Sequence, residues 1–262
     1  MHSKKVRYMT AFAAVICLAW LVGFGWTVKD YLIGSGRGVS LAAPAEQPAP
    51  EGQAGKVVAL GDSLTRGTGD DEGKGYAGYL ADELKEEGFR ASMVNLGIKG
   101  LTSAGLLEQL GQKEIARQVG QADIVLLTIG GNDLFLGGQT LSDLSAASLA
   151  KLEDAFAANL ASILETIRSA NPAATVYLLG LYDPFRELED GAETSRAVRS
   201  WNARTMETIS AYDDMVFVPT YDLFQRNTAD YLFTDRFHPN GRGYRLMAGR
   251  LAALIAEEGG AP

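Results

Sequence analysis

The chain is poor in the residues that staple small folds and build metal centres. Its 262 residues include one cysteine, Cys17, and two histidines, His2 and His238. One cysteine excludes an internal disulfide and any multi-cysteine metal site. Two distant histidines leave no basis for zinc chemistry built on several imidazoles. Any histidine-dependent catalysis in the folded body must then use His238. Positive charge is also scarce. Residues 53–262 hold 19 basic and 29 acidic side chains, a net charge of −10, and no basic stripe interrupts them. Such a body is not expected to bind nucleic acid. Internal repeats are absent. A 47% hydrophobic, 21% charged composition suits a globular protein, and the length fits one domain of about 200 residues plus extensions.

One long apolar run is present. Between Arg7 and Lys29 lie 21 uncharged residues, YMTAFAAVICLAWLVGFGWTV. As a helix they span about 31 Å, enough for a bilayer core. Tyr8, Trp20 and Trp26 suit the interfaces, and Lys4, Lys5 and Arg7 keep the N-terminus cytoplasmic by the positive-inside rule. The expectation is a signal anchor over residues 1–33, a single-pass protein of the cell membrane with its body outside the cytoplasm. A cleaved signal peptide, and hence a secreted protein, is the competing reading. Its cleavage site would fall near Ala42–Ala45, far beyond the apolar run and against Pro44. Residues 34–55, rich in Gly, Ala and Pro, read as a linker. Residues 56–262 form the expected body.

There, strand and helix signals alternate. Apolar runs at 57–60, 91–96, 123–129, 175–179 and 215–219 read as five strands. Apolar residues at helical spacing mark helices near 76–84, 103–110, 115–119, 149–167, 198–209 and 244–255, with Asn240 able to cap the last. Continuous apolar strands alternating with helices imply an α/β fold, a parallel sheet covered on both faces.

Ligands of such sheets bind beyond the carboxyl ends of the strands. Gly61-Asp62-Ser63-Leu64 follows the first strand, Asn95-Leu96-Gly97 the second, and Gly130-Gly131-Asn132-Asp133 the third. Asp235-Arg236-Phe237-His238-Pro239-Asn240 comes about 15 residues after the fifth. Each is weak alone: Ser63 could be a helix cap, Asn132 a turn residue and His238 a structural histidine. Together they supply the parts of an acyl-transfer site. A serine hydroxyl needs a base, imidazole with a reference pKa of about 6.5 suits that task, and a nearby carboxylate can orient the ring. Asp62, Asp133 and Asp70-Asp71-Glu72 read as loop-holding or solvated groups rather than chemical ones. Gly73–Gly78 matches GxGxxG but follows TGDDE rather than a strand, so it fails as a dinucleotide fingerprint. The GxSxG elbow and the GxxxxGK loop are absent.

In these blocks, GDSL at 61–64, the glycine block at 95–97, GGND at 130–133 and DxxHPN at 235–240, the chain resembles the GDSL, or SGNH, hydrolases over residues 56–258. The resemblance implies a flavodoxin-like three-layer α/β/α sandwich with strand order 2-1-3-4-5. It also implies ester hydrolysis by Ser63, His238 and Asp235, with Ser63 N–H, Gly97 N–H and the Asn132 side chain as oxyanion hole. No metal and no organic cofactor is then required, and no obligate protein partner is evident. Leu134, Phe135 and Leu136 follow the Asn132 block and are expected either to line an acyl pocket or to belong to the core. Lipid or lysolipid esters are the favoured substrates. O-acetyl esters of carbohydrate or cell wall are the alternative, and a catalytically silent surface-anchored binding protein is the rival of another class.

Overall fold

The computed structural model describes residues 54–257. The apolar run at 8–28 and most of the 34–55 linker lie outside these residues, and no helix among those described is long and apolar enough to cross a membrane. The body is built on five parallel strands: β1 (Ala54–Gly61), β2 (Arg90–Asn95), β3 (Ile124–Thr128), β4 (Thr175–Leu179) and β5 (Met215–Val218), in the order β2-β1-β3-β4-β5. This is the expected sheet. β1 starts before the expected boundary at 56, because Ala54 and Gly55 pair with Arg90 and Ala91. Main-chain pairing needs no apolar side chain, so composition alone hid those two residues.

Side chains alternate across the sheet. Val58, Leu60, Val125, Leu127, Val176 and Leu178 face one layer, and Val57, Ala59, Ile124, Leu126, Tyr177 and Leu179 face the other. All five β3 residues are buried, which is why its sequence, IVLLT, is apolar without a break. The first layer comprises α3 (Ser103–Leu110), α4 (Lys113–Val119), α6 (Ala146–Ala170) and α7 (Gly191–Ile209). On α6, Phe156, Leu160, Ile163, Leu164 and Ile167 form the buried stripe. The opposite layer is α2 (Gly75–Glu86) and α9 (Gly241–Glu257), which bury Tyr76, Leu80 and Leu84 against Tyr244, Met247 and Leu251. Three one-turn helices complete the set among the described residues: α1 (Ser63–Arg66), α5 (Gly131–Phe135) and α8 (Thr228–Tyr231).

Caps set the helix ends. Asn171 closes α6: its Oδ1 accepts from Ala173 and Ala174 N–H, while its amide donates to the Val119 and Ala122 carbonyls. Asn240 Oδ1 accepts from Arg242 and Gly243 N–H and caps α9, as expected.

Registry brings Gly61, Thr128, Leu179 and Val218 to one edge. There β1 passes so close to β3 that a Cβ on Gly61 would lie 2.0 Å from the Thr128 carbonyl oxygen, at φ +133°. Only glycine fits both constraints. Gly61→Ala is therefore expected to lower stability by about 3 kcal/mol. A urea midpoint equal to wild type would contradict this.

Candidate active site

Ser63 opens α1 directly after β1, and as the first residue of a helix its N–H has no intrahelical acceptor. Asp62 caps the turn, accepting Leu64 N–H at 3.0 Å and the Thr128 hydroxyl at 2.8 Å on the same oxygen. Thr128 in turn meets the Thr65 hydroxyl at 2.8 Å, and Thr65 meets Tyr76 OH at 2.8 Å. A buried chain of hydroxyls thus ties α1 to β3 and α2 beneath the serine. Asp62 holds the loop, as expected. The residue is 2% exposed, and burial, only partly offset by the bonds from Leu64 and Thr128, pushes its pKa up to about 6.

His238 arrives from the far end of the chain. Its Nε2 lies 2.8 Å from Ser63 Oγ, and its Nδ1 lies 2.7 Å from Asp235 Oδ2. The other Asp235 oxygen accepts the N–H groups of Phe237 and His238, each at 3.0 Å. One carboxylate therefore shapes the turn and aims the ring. Arg236, at the middle of the turn, is held in the left-handed region at φ +53°. Partial burial works to raise the Asp235 pKa, but the hydrogen bonds from the His238 ring and from the two N–H groups outweigh it, and the net shift is downward. The base of the loop is clamped by Phe233 N–H on the His238 carbonyl, and by Asn240 on the Tyr231, Asp230 and Leu232 carbonyls.

Asn132 lies in α5 and lines the same cleft as Ser63. Its amide donates to the Leu101 carbonyl at 2.9 Å, which leaves its second N–H unspent on that contact. Asp133 grips Ser103, accepting its N–H and hydroxyl, and so caps α3; this is the loop-holding role expected of it. Gly97 differs from expectation. Its N–H donates to Asn95 Oδ1 at 3.0 Å, so the donor already has a partner. Its need for glycine has another cause: a Cβ would lie 2.5 Å from Arg66 N, because this loop packs on α1. The residue beside Asn132 is Leu101, one position after Gly100.

The expected lining residues also separate. Phe135 lines the cleft, whereas Leu134 is 0% exposed and belongs to the core. On a one-turn helix adjacent residues point in different directions, so Leu134 and Phe135 do not share a wall. Leu136 begins a 3-10 segment, Leu136–Ser142. Asp70 is consumed by its own turn, accepting Lys74 N–H, Gly75 N–H and Tyr79 OH. Among the described residues no group of three or more His, Cys, Asp or Glu side chains is placed to hold a metal.

A small cleft opens at Ser63. Beyond Ser63, Asp62 and Asn132 its lining is Leu64, Gly131, Phe135, Leu181, Tyr182, Pro184 and Phe237. It adjoins a groove that shares Asn132, Phe135 and Phe237 and continues to Leu141 and Phe185. Phe135, Phe185 and Phe237 pack edge-on or tilted at 5.1–5.9 Å between ring centroids. The segment after β4 and Phe237 escaped the sequence reading. Leu181-Tyr182-Asp183-Pro184 carries no recognised motif, yet the same rule about carboxyl strand ends applied to β4 would have found it.

A profile of the GDSL-like lipase/acylhydrolase family matches residues 59–246. The uncharacterised protein YpmR of Bacillus subtilis is 33% identical over 209 residues, covering 78% of this chain and 82% of that one. A spore germination lipase, LipC, of Bacillus licheniformis is 30% identical over 214 residues, covering 76% and 95% respectively. The crystal structure of a lipase, Lip_vut3, from a goat rumen metagenome superposes with a TM-score of 0.68 at 28% identity, over 76% of this chain and 96% of that one.

The raised pKa of Asp62 has a stability consequence. The folded protein holds a proton near pH 6 that the unfolded chain holds only near pH 4. The ionised carboxyl therefore costs stability in full above pH 6, and the cost fades as pH falls from 6 to 4. Asp62→Asn keeps the accepting oxygen and removes the charge. Urea unfolding is expected to find the variant about 1–3 kcal/mol more stable than wild type at pH 8 and equal to it near pH 4. A difference independent of pH would contradict this.

Proposed function

The chain belongs to the GDSL-like lipase/acylhydrolase family and is a carboxylic ester hydrolase, and from that premise we propose that it cleaves fatty acyl esters of the lipid or lysolipid type at Ser63. His238 Nε2, 2.8 Å from the hydroxyl, takes the proton as Ser63 Oγ attacks the ester carbonyl. Asp235 holds the opposite ring nitrogen at 2.7 Å and stabilises the imidazolium that forms. The same proton passes to the departing alkoxide. Water, deprotonated by His238, then attacks the acyl-enzyme, the acid leaves, and the proton returns from His238 to Ser63 Oγ. Developing negative charge on the carbonyl oxygen is met by Ser63 N–H and by the free N–H of Asn132. Losing one such donor typically lowers the rate by about 100- to 1000-fold. Gly97 N–H joins them only when Asn95 Oδ1 releases it.

One observation carries the substrate reading: past the reacting atoms the cleft is walled by apolar and aromatic side chains, and it continues as the Phe135–Phe185–Phe237 groove. An acyl chain gains from such a surface, at about 0.8 kcal/mol per buried methylene. A sugar would find few polar partners there. Similarity to a protein named a spore germination lipase agrees with this. We further propose that residues 8–28 tether the enzyme to the outer face of the cell membrane, next to its substrate.

The full-length protein in detergent is expected to hydrolyse p-nitrophenyl esters with rates that rise from C2 toward medium and long chains. Ser63→Ala should lose on the order of 1000-fold or more and all labelling by a fluorophosphonate. A maximum at C2 would replace the lipid reading by the O-acetyl one. Absence of turnover and of labelling on every chain length would leave the silent binding protein. Asp235→Asn should retain the fold and lower kcat by about 100- to 10,000-fold; a kcat near wild type would remove Asp235 from the mechanism.

A further inference from the structure

At the catalytic edge the segment after β4 is anchored at several points, and no chemical step above uses it. Asn202 of α7 clamps Leu181 at both ends of its peptide group, accepting its N–H and donating to its carbonyl, each at 2.8 Å. Asp183 is 2% exposed. It accepts Phe185 N–H, and its second oxygen takes the hydroxyls of Thr194 and Ser195 at 3.1 and 2.6 Å. Between these two anchors stands Tyr182. Its ring stacks on Phe224 at 4.2 Å between centroids. Its hydroxyl donates to the Phe237 carbonyl at 2.5 Å, the peptide that leads into His238.

We propose that Tyr182 is a positioning residue for the general base: anchored through Leu181 and Asp183 to α7, it holds the Phe237–His238 peptide so that the imidazole stays in line with Ser63. The inference rests on the reading of His238 as base. Three features support it. The Asp235–His238 turn passes through a left-handed arginine, a conformation that needs external support. The hydrogen bonds that Asp235 accepts fix the shape of the turn from within, yet they cannot fix its height over Ser63, because Asp235 moves with it. Tyr182 supplies a contact from a different strand end. Burial also raises the phenol pKa well above its usual value, so the group remains a donor at any working pH. Because Leu181, Tyr182 and Pro184 line the cleft, the same segment that receives the acyl chain holds the base in place.

Tyr182→Phe removes one hydroxyl and leaves the ring. In the full-length protein it is expected to lower kcat on a p-nitrophenyl ester, and the rate of Ser63 labelling by a fluorophosphonate, by about tenfold, with KM within about twofold of wild type. A merely structural role would lower the active fraction and leave the labelling rate constant of that fraction unchanged, so the rate constant is the deciding readout. Wild-type kcat and labelling rate in the variant, or a change confined to KM, would overturn the proposal. Wild-type protein that fails to label would instead overturn the reading of Ser63 on which it rests. Where Tyr182→Phe does not fold, Ser195→Ala carries the test: it loosens the Asp183 anchor away from the reacting atoms. It is expected to lower kcat and labelling rate in the same direction at unchanged KM, and an unaltered labelling rate would overturn the proposal equally.

Discussion

The structure depends on one hydrogen bond between residues 175 positions apart, from Ser63 Oγ to His238 Nε2 at 2.8 Å. In the proposed mechanism neither group reacts alone, and most of the chain between them serves to bring them together. The parallel sheet sets β1 and its turn at one edge. The last loop and α9 then return the histidine to that edge. Both ends are mounted on backbone that has little freedom. Gly61 lies against the Thr128 carbonyl at a φ reserved for glycine, and the Asp62 cap fixes α1. The histidine loop is closed at its base by Asn240, shaped from within by Asp235 and held from another strand end by the Tyr182 hydroxyl on the Phe237 carbonyl. A soft bond of this kind is kept short because neither support can drift.

Two carboxyls flank that bond, and their environments drive them apart. Asp62 is buried with few donors, and its pKa rises to about 6. Asp235 is partly exposed, and its three donors draw its pKa down. Position in the fold, not residue type, gives one a structural part and, in the proposed mechanism, the other the task of steadying a cation. Burial keeps Asp62 tied into the hydroxyl chain through Thr128, Thr65 and Tyr76. Donors keep Asp235 charged wherever the imidazole has to accept a proton.

Much of this was legible before any coordinates. Continuous apolar strands such as 123–129 can be stable only when covered on both faces, so sheet type followed from composition. Ser63, Asn132, Asp235 and His238 stood out because their side chains are polar, rare or paired with glycines at strand ends. Ser63, Asp235 and His238 are hydrogen-bonded in series, and Asn132 lines the cleft with Ser63. What stayed hidden depends on backbone direction. Gly97 and Gly100 look alike in sequence, and only the paths of the loop show that Gly97 N–H turns inward to Asn95 while Leu101 meets Asn132. Leu134 and Phe135 are equally apolar, and helical rotation alone sends one to the core and the other to the cleft.

The apolar wall of the cleft was the least legible part for a further reason: it belongs to no single segment. Phe135 follows β3, Phe185 follows β4, and Phe237 precedes the histidine, yet their rings touch. Three phenylalanines spread over 102 positions carry no pattern that periodicity detects. They meet because the sheet delivers its strand ends to one edge. Catalytic residues are bound to a motif by chemistry, since few side chains can do their work. A hydrophobic wall accepts any large apolar residue that reaches it. Within such a fold the reaction is therefore conveyed by residue identity and the substrate by tertiary placement, and this is why ester hydrolysis was readable from four short blocks while the length of the acyl chain has to be read from the cleft.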